Sequence, residues 1–384
     1  MKKLVFSACA LTLTGSTAVA NDGDWAQLDK DVQALSASFQ DVEGTGITVG
    51  GRVRAFYENS GDIAGGLDPN DPNGVGTNDL GGFALYNARL YAYGTTGSNV
   101  SYRLEHDFAG NNNSVIGSGN SAGRLLDAYL TVSFTEEIYL RAGQFRAQVL
   151  RESLIDSGDL MFVDRTQVAA LFAGRRNGLA VGANFDAFEI VATLQNGGDD
   201  LGDSLFFVLH GRLNVLGNGT QLIEGAYGGN EELEASIGAA YFNDDSINDA
   251  DGVTIEGSLS SNLFWLGANL ASFNDGLAIA NLDVNERQPG LLGVTGTLLA
   301  PDSTPWSIAG SIMLTQPESD YGAWELGARY QDMDDPASTR IIDVGANYYV
   351  DGHNMKYQLV WTQVDTDIMN TDVSIIRVGM QSRF

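Results

Sequence analysis

From Ile47 onward, except between residues 146 and 174, apolar and polar side chains alternate with period two, and this regularity restricts the possible folds more than any other feature. Ile47, Val49, Val53, Ala55 and Tyr57 share one side of a strand, while Thr48, Gly50, Arg52 and Arg54 share the other. The next segments repeat the pattern: Ala84, Tyr86, Ala88, Leu90 and Ala92 oppose Asn87, Arg89, Tyr91 and Tyr93, and Val100, Tyr102, Leu104 and Phe108 oppose Ser101, Arg103, Glu105 and Asp107. Leu126, Ala128, Leu130, Val132 and Phe134 then oppose Asp127, Tyr129, Thr131 and Ser133, and Ile138, Leu140 and Ala142 oppose Tyr139, Arg141 and Gly143. A soluble sandwich also alternates, with its apolar face inward. In a membrane barrel the apolar face meets lipid and the polar face meets water.

Three further features favour the membrane barrel. Connections alternate in length: residues 58–80 and 110–122 are long, while 95–98, 135–137 and 186–187 are tight, the asymmetry of an up-and-down outer-membrane barrel. Aromatic side chains gather near segment ends at Phe56, Tyr57, Phe108, Phe134, Trp265, Trp306, Trp324 and Trp361, as interfacial girdles require. The chain also closes on an alternating segment that ends in Phe384. Glycine at 47 residues against 7 prolines suits many strands joined by turns. Outside the N-terminus no apolar run approaches the roughly 18 residues of a membrane helix, whereas barrel strands need only about 9 to 11. Counting candidate segments gives an odd number, and a barrel with both termini on one side needs an even one. The surplus lies in the 288–315 region, so the expectation is 16 strands, with 18 as second choice.

Met1, Lys2 and Lys3, an apolar run and Ala18-Val19-Ala20 form a secretory signal peptide over residues 1–20. The lone Cys9 lies within it, so no disulfide or thiolate metal site is expected beyond it; a lipoprotein reading of Cys9 is the alternative. Over residues 21–45, Trp25, Leu28, Val32, Leu35, Phe39 and Val42 recur at a/d spacing. They predict either a single amphipathic helix or, if the barrel trimerises, a short periplasmic coiled coil. The net charge of −28 opposes nucleic-acid binding, since phosphate contacts need the opposite sign.

Between residues 146 and 174 the alternation stops. This stretch and its rim hold Arg146, Arg151, Glu152, Asp159, Asp164, Arg165, Arg175 and Arg176 beside Leu150, Leu154, Leu160, Met161, Phe162 and Val163. Its apolar content argues against disorder, and its length argues for a purpose, so it is expected to fold back into the barrel and set the width and charge of a pore. By parity Arg52, Arg54, Arg89, Arg103 and Arg141 line the lumen. Arginines so placed either pass anions between weak sites or pair with Glu105, Asp107, Asp127, Glu152, Asp159 and Asp164 to hold the loop. The three histidines, His106, His210 and His353, form no pattern with a serine, so no catalytic residues are expected. The acidic residues at 243–251 lack the spacing of a calcium loop, and neither a metal nor a cofactor is expected.

The block Gly143-Gln144-Phe145-Arg146, Glu152, Asp159 to Arg165, Gly174-Arg175 and Gly178 resembles the phosphate-selective porin O and P family. Leu126 to Tyr129, Tyr102 to Phe108, Gly322 to Tyr330 and Val344 to Tyr349 are similar to further family segments. The resemblance implies a 16-stranded homotrimeric barrel in the bacterial outer membrane, with Phe384 read by the barrel-assembly machinery. Two departures stand out: Gln148 occupies a position where the family usually has proline, and after the leader only Lys30 and Lys356 remain of the lysines its anion-selective members cluster. The expected function is passive diffusion of small hydrophilic solutes, including anions such as phosphate. The alternative is a structural or adhesive barrel with a plugged lumen.

Overall fold

The computed structural model describes residues 46–63, 78–109, 123–197, 204–245, 250–275, 302–315, 322–336, 338–367 and 373–384. The expected signal peptide at 1–20, the heptads of 21–45, the surplus segment near 290–300 and the middle of the acidic loop at 243–251 lie outside them. The strands are β1 (Ile47–Ile63), β2 (Asn78–Thr96), β3 (Val100–Asp107), β4 (Arg124–Ser133), β5 (Ile138–Arg146), β6 (Arg175–Asn184), β7 (Phe188–Asn196) and β8 (Leu205–Leu216). They continue as β9 (Glu234–Asp244), β10 (Ala250–Ser260), β11 (Phe264–Asp275), β12 (Trp306–Met313), β13 (Ala323–Asp332), β14 (Arg340–Asp351), β15 (Met355–Asp365) and β16 (Val373–Arg383). Each pairs antiparallel with its sequence neighbours, and β1 pairs with β16, so the sheet closes into a 16-stranded barrel. β11 pairs directly with β12, and the barrel closes without the 290–300 segment. Closure leaves no strand edge to satisfy, which is the condition for a sheet to span hydrocarbon. At the seam Gly51 and Phe384 exchange backbone hydrogen bonds of 2.9 and 3.1 Å, and a Cβ on Gly51 would collide with the Phe384 ring.

The barrel is inside out relative to a soluble protein. Ile255 is 58% and Leu359 51% exposed, whereas Arg54 is 2% and Glu325 0%. An apolar belt of this extent marks a membrane-facing surface. A charge placed on it should be costly: Leu359→Arg is expected to weaken folding into vesicles by roughly 2 to 4 kcal/mol, the cost near the bilayer midplane. Titrating the folded fraction with denaturant measures this, and an unchanged midpoint would place Leu359 away from lipid.

β-bulges break the parity in places. Arg54 pairs with Asn87 but Ala55 with Leu85, so Tyr86 is the extra residue and the phase of β2 reverses there. Ala84 and Tyr86, expected on the lipid face, therefore turn inward and are buried, while Phe83 and Leu85 face out. The bulge between Leu104 and His106 likewise buries Leu126, also expected outside. Aromatic pairs gather at both barrel rims, with Tyr57–Phe83 and Trp306–Tyr330 at one end and Phe185–Phe188 and Trp324–Tyr348 at the other. Trp265 and Phe56, expected in the girdles, instead point inward and are buried.

Candidate functional site

The connection after β5 enters the barrel. It carries two short helices, α1 (Arg151–Leu154) and α2 (Gln167–Ala170), with a 3-10 turn at Ser157–Asp159 between them. Thr166 Oγ accepts from Ala169 N at 3.0 Å and so caps α2, while donating to Glu152 Oε2 at 2.9 Å and tying α2 to α1. Arg165 donates to the carbonyls of Glu152, Ser153 and Ile155 at 2.8, 3.1 and 3.2 Å, and Arg146 to those of Ala173 and Ile155 at 3.1 and 3.3 Å. These arginines hold the loop to itself.

Apolar side chains hold it to the walls. Val149, Leu150, Val168, Leu171 and Phe172 pack against Phe206, Val208, Phe242, Phe273, Ile341, Val364 and Ile375, inward residues of β8, β9, β11, β14, β15 and β16. Met161, Phe162 and Val163 cross to a second cluster with Phe56, Tyr86, Trp265 and Val360. Gly327 and Gly345, paired across β13 and β14, leave room for Met161 and Phe162. The inner wall is thus apolar at these contacts, which a rule of polar residues inside does not anticipate. Each such side chain contributes about 1.5 to 3 kcal/mol on burial.

The arginines expected to line the lumen all sit on its inner surface, most of them beside a carboxylate. Arg52 pairs with Asp156 and donates to Ser157 Oγ at 2.9 Å; Arg89 lies 2.7 Å from Asp107 and 3.3 Å from Glu105; Arg103 lies 2.5 Å from Glu105. Arg54 donates to the Val163 carbonyl at 2.7 Å, and Arg175 lies 2.9 Å from Asp127. Arg141 differs: it stands over the Tyr129 ring at 4.5 Å and donates to Thr131 Oγ at 3.2 Å, with no carboxylate in ion-pair range among the described residues. Arg176 is buried on β6, and Arg151 donates to the Ile223 carbonyl at 2.8 Å.

Late strands bring charges that sequence reasoning passed over. Arg329 reaches Asp343 at 2.8 Å, Glu224 at 3.6 Å, Glu152 at 4.0 Å and the Asp164 carbonyl at 2.9 Å. Lys356 donates to the Leu160 carbonyl at 2.7 Å, Arg377 pairs with Glu58 at 2.7 Å, and Arg383 with Asp159 at 2.8 Å. All lie at inward positions of alternating strands, so extending the parity rule past β6 finds them. The charges are segregated: β9 to β14 supply buried Glu234, Asp244, Glu256, Glu325 and Asp343 against Arg329, while β1 to β6 supply buried Arg52, Arg54, Arg89, Arg146 and Arg176 against Glu58, Glu105 and Asp107. A field therefore runs across the lumen.

A second segment also enters. The connection between β8 and β9, residues 217–233, rises from the end of the barrel opposite the loop. Glu224 N donates to the Asp159 carbonyl at 3.0 Å, and Met161 N donates to Glu224 Oε2 at 3.0 Å. Burial, and then the charge of Glu152, push the Glu224 carboxyl up to about 7. Burial, with a smaller push from the charge of Glu58, takes Asp164 up to about 6 against the pull of Arg377 and Arg54. Burial would raise Asp159 too, but the hydrogen bond and charge of Arg383 hold it below the usual carboxylate range.

Two interior cavities flank the loop. One, lined by Arg151, Glu152, Ser236, Glu256, Trp265 and Asn269, and another, lined by Arg54, Asn87, Arg89, Ser157 and Asp164, hold about 20 Å³ each, room for about one water. His210 faces the interior 3.3 Å from Glu256, His353 lies in the β14–β15 turn, and His106 faces outward against Phe108. Among the described residues no cluster of three or more His, Cys, Asp or Glu could hold a metal ion.

The phosphate-selective porin O and P family model matches residues 50–216 and 303–384. Comparison with proteins of curated function gives no match. Among solved structures, the anion-selective porin from Comamonas acidovorans aligns at TM-score 0.56 and 15% identity over 88% of this chain and 99% of that one. OprB of Pseudomonas putida, in a high-pH structure, aligns at TM-score 0.58 and 10% identity over 91% and 97%. A loop-deletion mutant of OmpT, an outer membrane protein of Vibrio cholerae, aligns at TM-score 0.53 and 11% identity over 88% and 99%. At these identities the likeness is one of fold.

Proposed function

The chain belongs to the phosphate-selective porin O and P family, and on that premise we propose that small hydrophilic solutes, anions among them, diffuse passively between the inserted loop and the walls of its barrel. It is a porin of the bacterial outer membrane. The observation that carries the proposal is the charged interior enclosed by an apolar exterior, crossed by residues 147–174. In this reading the loop is the constriction, and Arg52, Arg54, Arg89, Arg103 and Arg141 line the path along β1 to β5. A trimer is part of the proposal, and the heptads of residues 21–45 are suited to tie three copies together. We assign the chain no catalysis.

Selectivity should be modest. Most interior cations face carboxylates, so they orient a passing ion more than they hold it. Arg141, backed by rings and a hydroxyl, is the arginine best placed to favour anions. Reversal potentials in a salt gradient are expected to show a mild anion preference that shrinks in Arg141→Ala; a clear cation preference of the unmodified protein would refute this. The small cavities favour a second reading, a plugged structural barrel. Stepwise single-channel current in a planar bilayer separates the two, since a permanent plug gives none.

A further inference from the structure

We propose that residues 217–233 are a movable periplasmic gate that narrows the lumen in this structure and is held by polar contacts that can be exchanged for water. This rests on the porin reading. With β1 and β16 meeting at the periplasmic side, β8 descends and β9 rises, so their connection belongs to the periplasmic end. The other connections at that end include the tight turns 97–99, 185–187, 261–263 and 352–354. This one is long, and instead of hanging free it enters the barrel.

Its contacts form a collar around the tip of the inserted loop. Arg151 of α1 donates to the carbonyls of Gln221 and Ile223, and Glu224 exchanges hydrogen bonds with Asp159 and Met161. Ala226 N donates to Glu325 Oε1 at 2.6 Å and Ser311 Oγ at 2.9 Å, and Tyr227 stacks on Tyr349 at 4.1 Å. Together the two segments narrow the lumen, and the cavity they enclose with β10 and β11, lined by Arg151, Gln221, Ile223, Gly225, Ser260 and Trp265, holds about 10 Å³. That cavity admits no hydrated solute, so on the β10–β11 side of the lumen passage requires one of the two segments to move.

The anchoring decides which. The loop from β5 buries Leu150, Ile155, Leu160, Met161, Phe162, Val163, Val168 and Phe172, and withdrawing it would expose that surface to water. Residues 217–233 bury one apolar side chain, Ala226, while Leu222 and Leu233 are exposed. Few apolar contacts and many exchangeable hydrogen bonds are the signature of an element that opens locally. Gly217, Gly219, Gly225 and Gly228 all have φ between 59° and 108°, and these glycines allow the backbone to swing at both ends of the segment.

The test uses the full chain in a planar bilayer. Ala226→Cys with Ser311→Cys places two thiols where the gate meets β12, in a chain whose one native cysteine, Cys9, lies in the expected leader. Oxidation, with the disulfide verified by mass spectrometry, is expected to lower the current, and dithiothreitol to restore it. Replacing residues 219–229 by a short Asn-Gly turn is expected to raise conductance several-fold without changing ion preference. An oxidised protein that conducts like the reduced one, or a shortened variant with unmodified conductance, would overturn the gate while leaving the porin standing. Absence of current from the native, reduced and shortened proteins alike would sink the porin reading itself.

Discussion

Replacing residues 150–170 by a short polar linker is expected to raise the single-channel current several-fold and, unlike shortening the periplasmic segment, to strengthen anion preference. The loop fills the lumen with its own apolar surface, from Leu150 against Phe242 and Phe273 to Phe162 against Phe56. It also supplies the carbonyls that hold three wall cations: Leu160 for Lys356, Val163 for Arg54 and Asp164 for Arg329. Without it those cations face water in a wider channel, where a passing anion is the natural partner. The barrel should still assemble, because its closure is backbone pairing in which the loop takes no part. Its thermal stability should fall as Phe206, Phe242 and Phe273 become wetted. Conductance and reversal potential check both halves of the expectation; a variant that folds yet keeps its current would show that the loop does not limit flow.

Arg329→Met should destabilise the folded barrel by roughly 3 to 5 kcal/mol, the cost of leaving buried carboxylates without their cation. Arg329 is fully buried and holds Asp343 at 2.8 Å and Glu224 at 3.6 Å, with Glu152 at 4.0 Å, while its guanidinium stacks over Phe162 at 4.5 Å. It thus joins β13, β14, the inserted loop and the periplasmic segment. Arg329→Lys keeps the charge but loses the planar fork, and should fall between the native and Met forms. Adding Asp343→Asn to Arg329→Met should recover part of the loss, since it removes the nearest orphaned charge. Denaturant unfolding in detergent gives the measurement; a Met variant that unfolds with the native midpoint would mean that water already solvates this cluster.

Much of the architecture could be read from side-chain alternation alone, because the pleat sends consecutive residues to opposite faces whatever the rest of the chain does. That is why the inward placement of Arg52, Arg54, Arg89, Arg103 and Arg141 and the outward placement of Leu90 and Leu104 follow from the sequence. The irregular stretch after Arg146 was visible for the same reason, as a place where the period stops. Local pattern does not show where a bulge resets the phase, so parity alone puts Tyr86 and Leu126 on the wrong face. Nor could it place Trp265 and Phe206 inside, since their burial depends on a loop arriving from far along the chain. The partners of Arg165 and Arg329, and the entry of residues 217–233 into the lumen, are likewise matters of tertiary structure. Hydrophobicity and strand period act between neighbours in sequence, whereas ion pairing and packing inside a closed barrel join residues more than a hundred positions apart, and only the folded chain decides which of them meet.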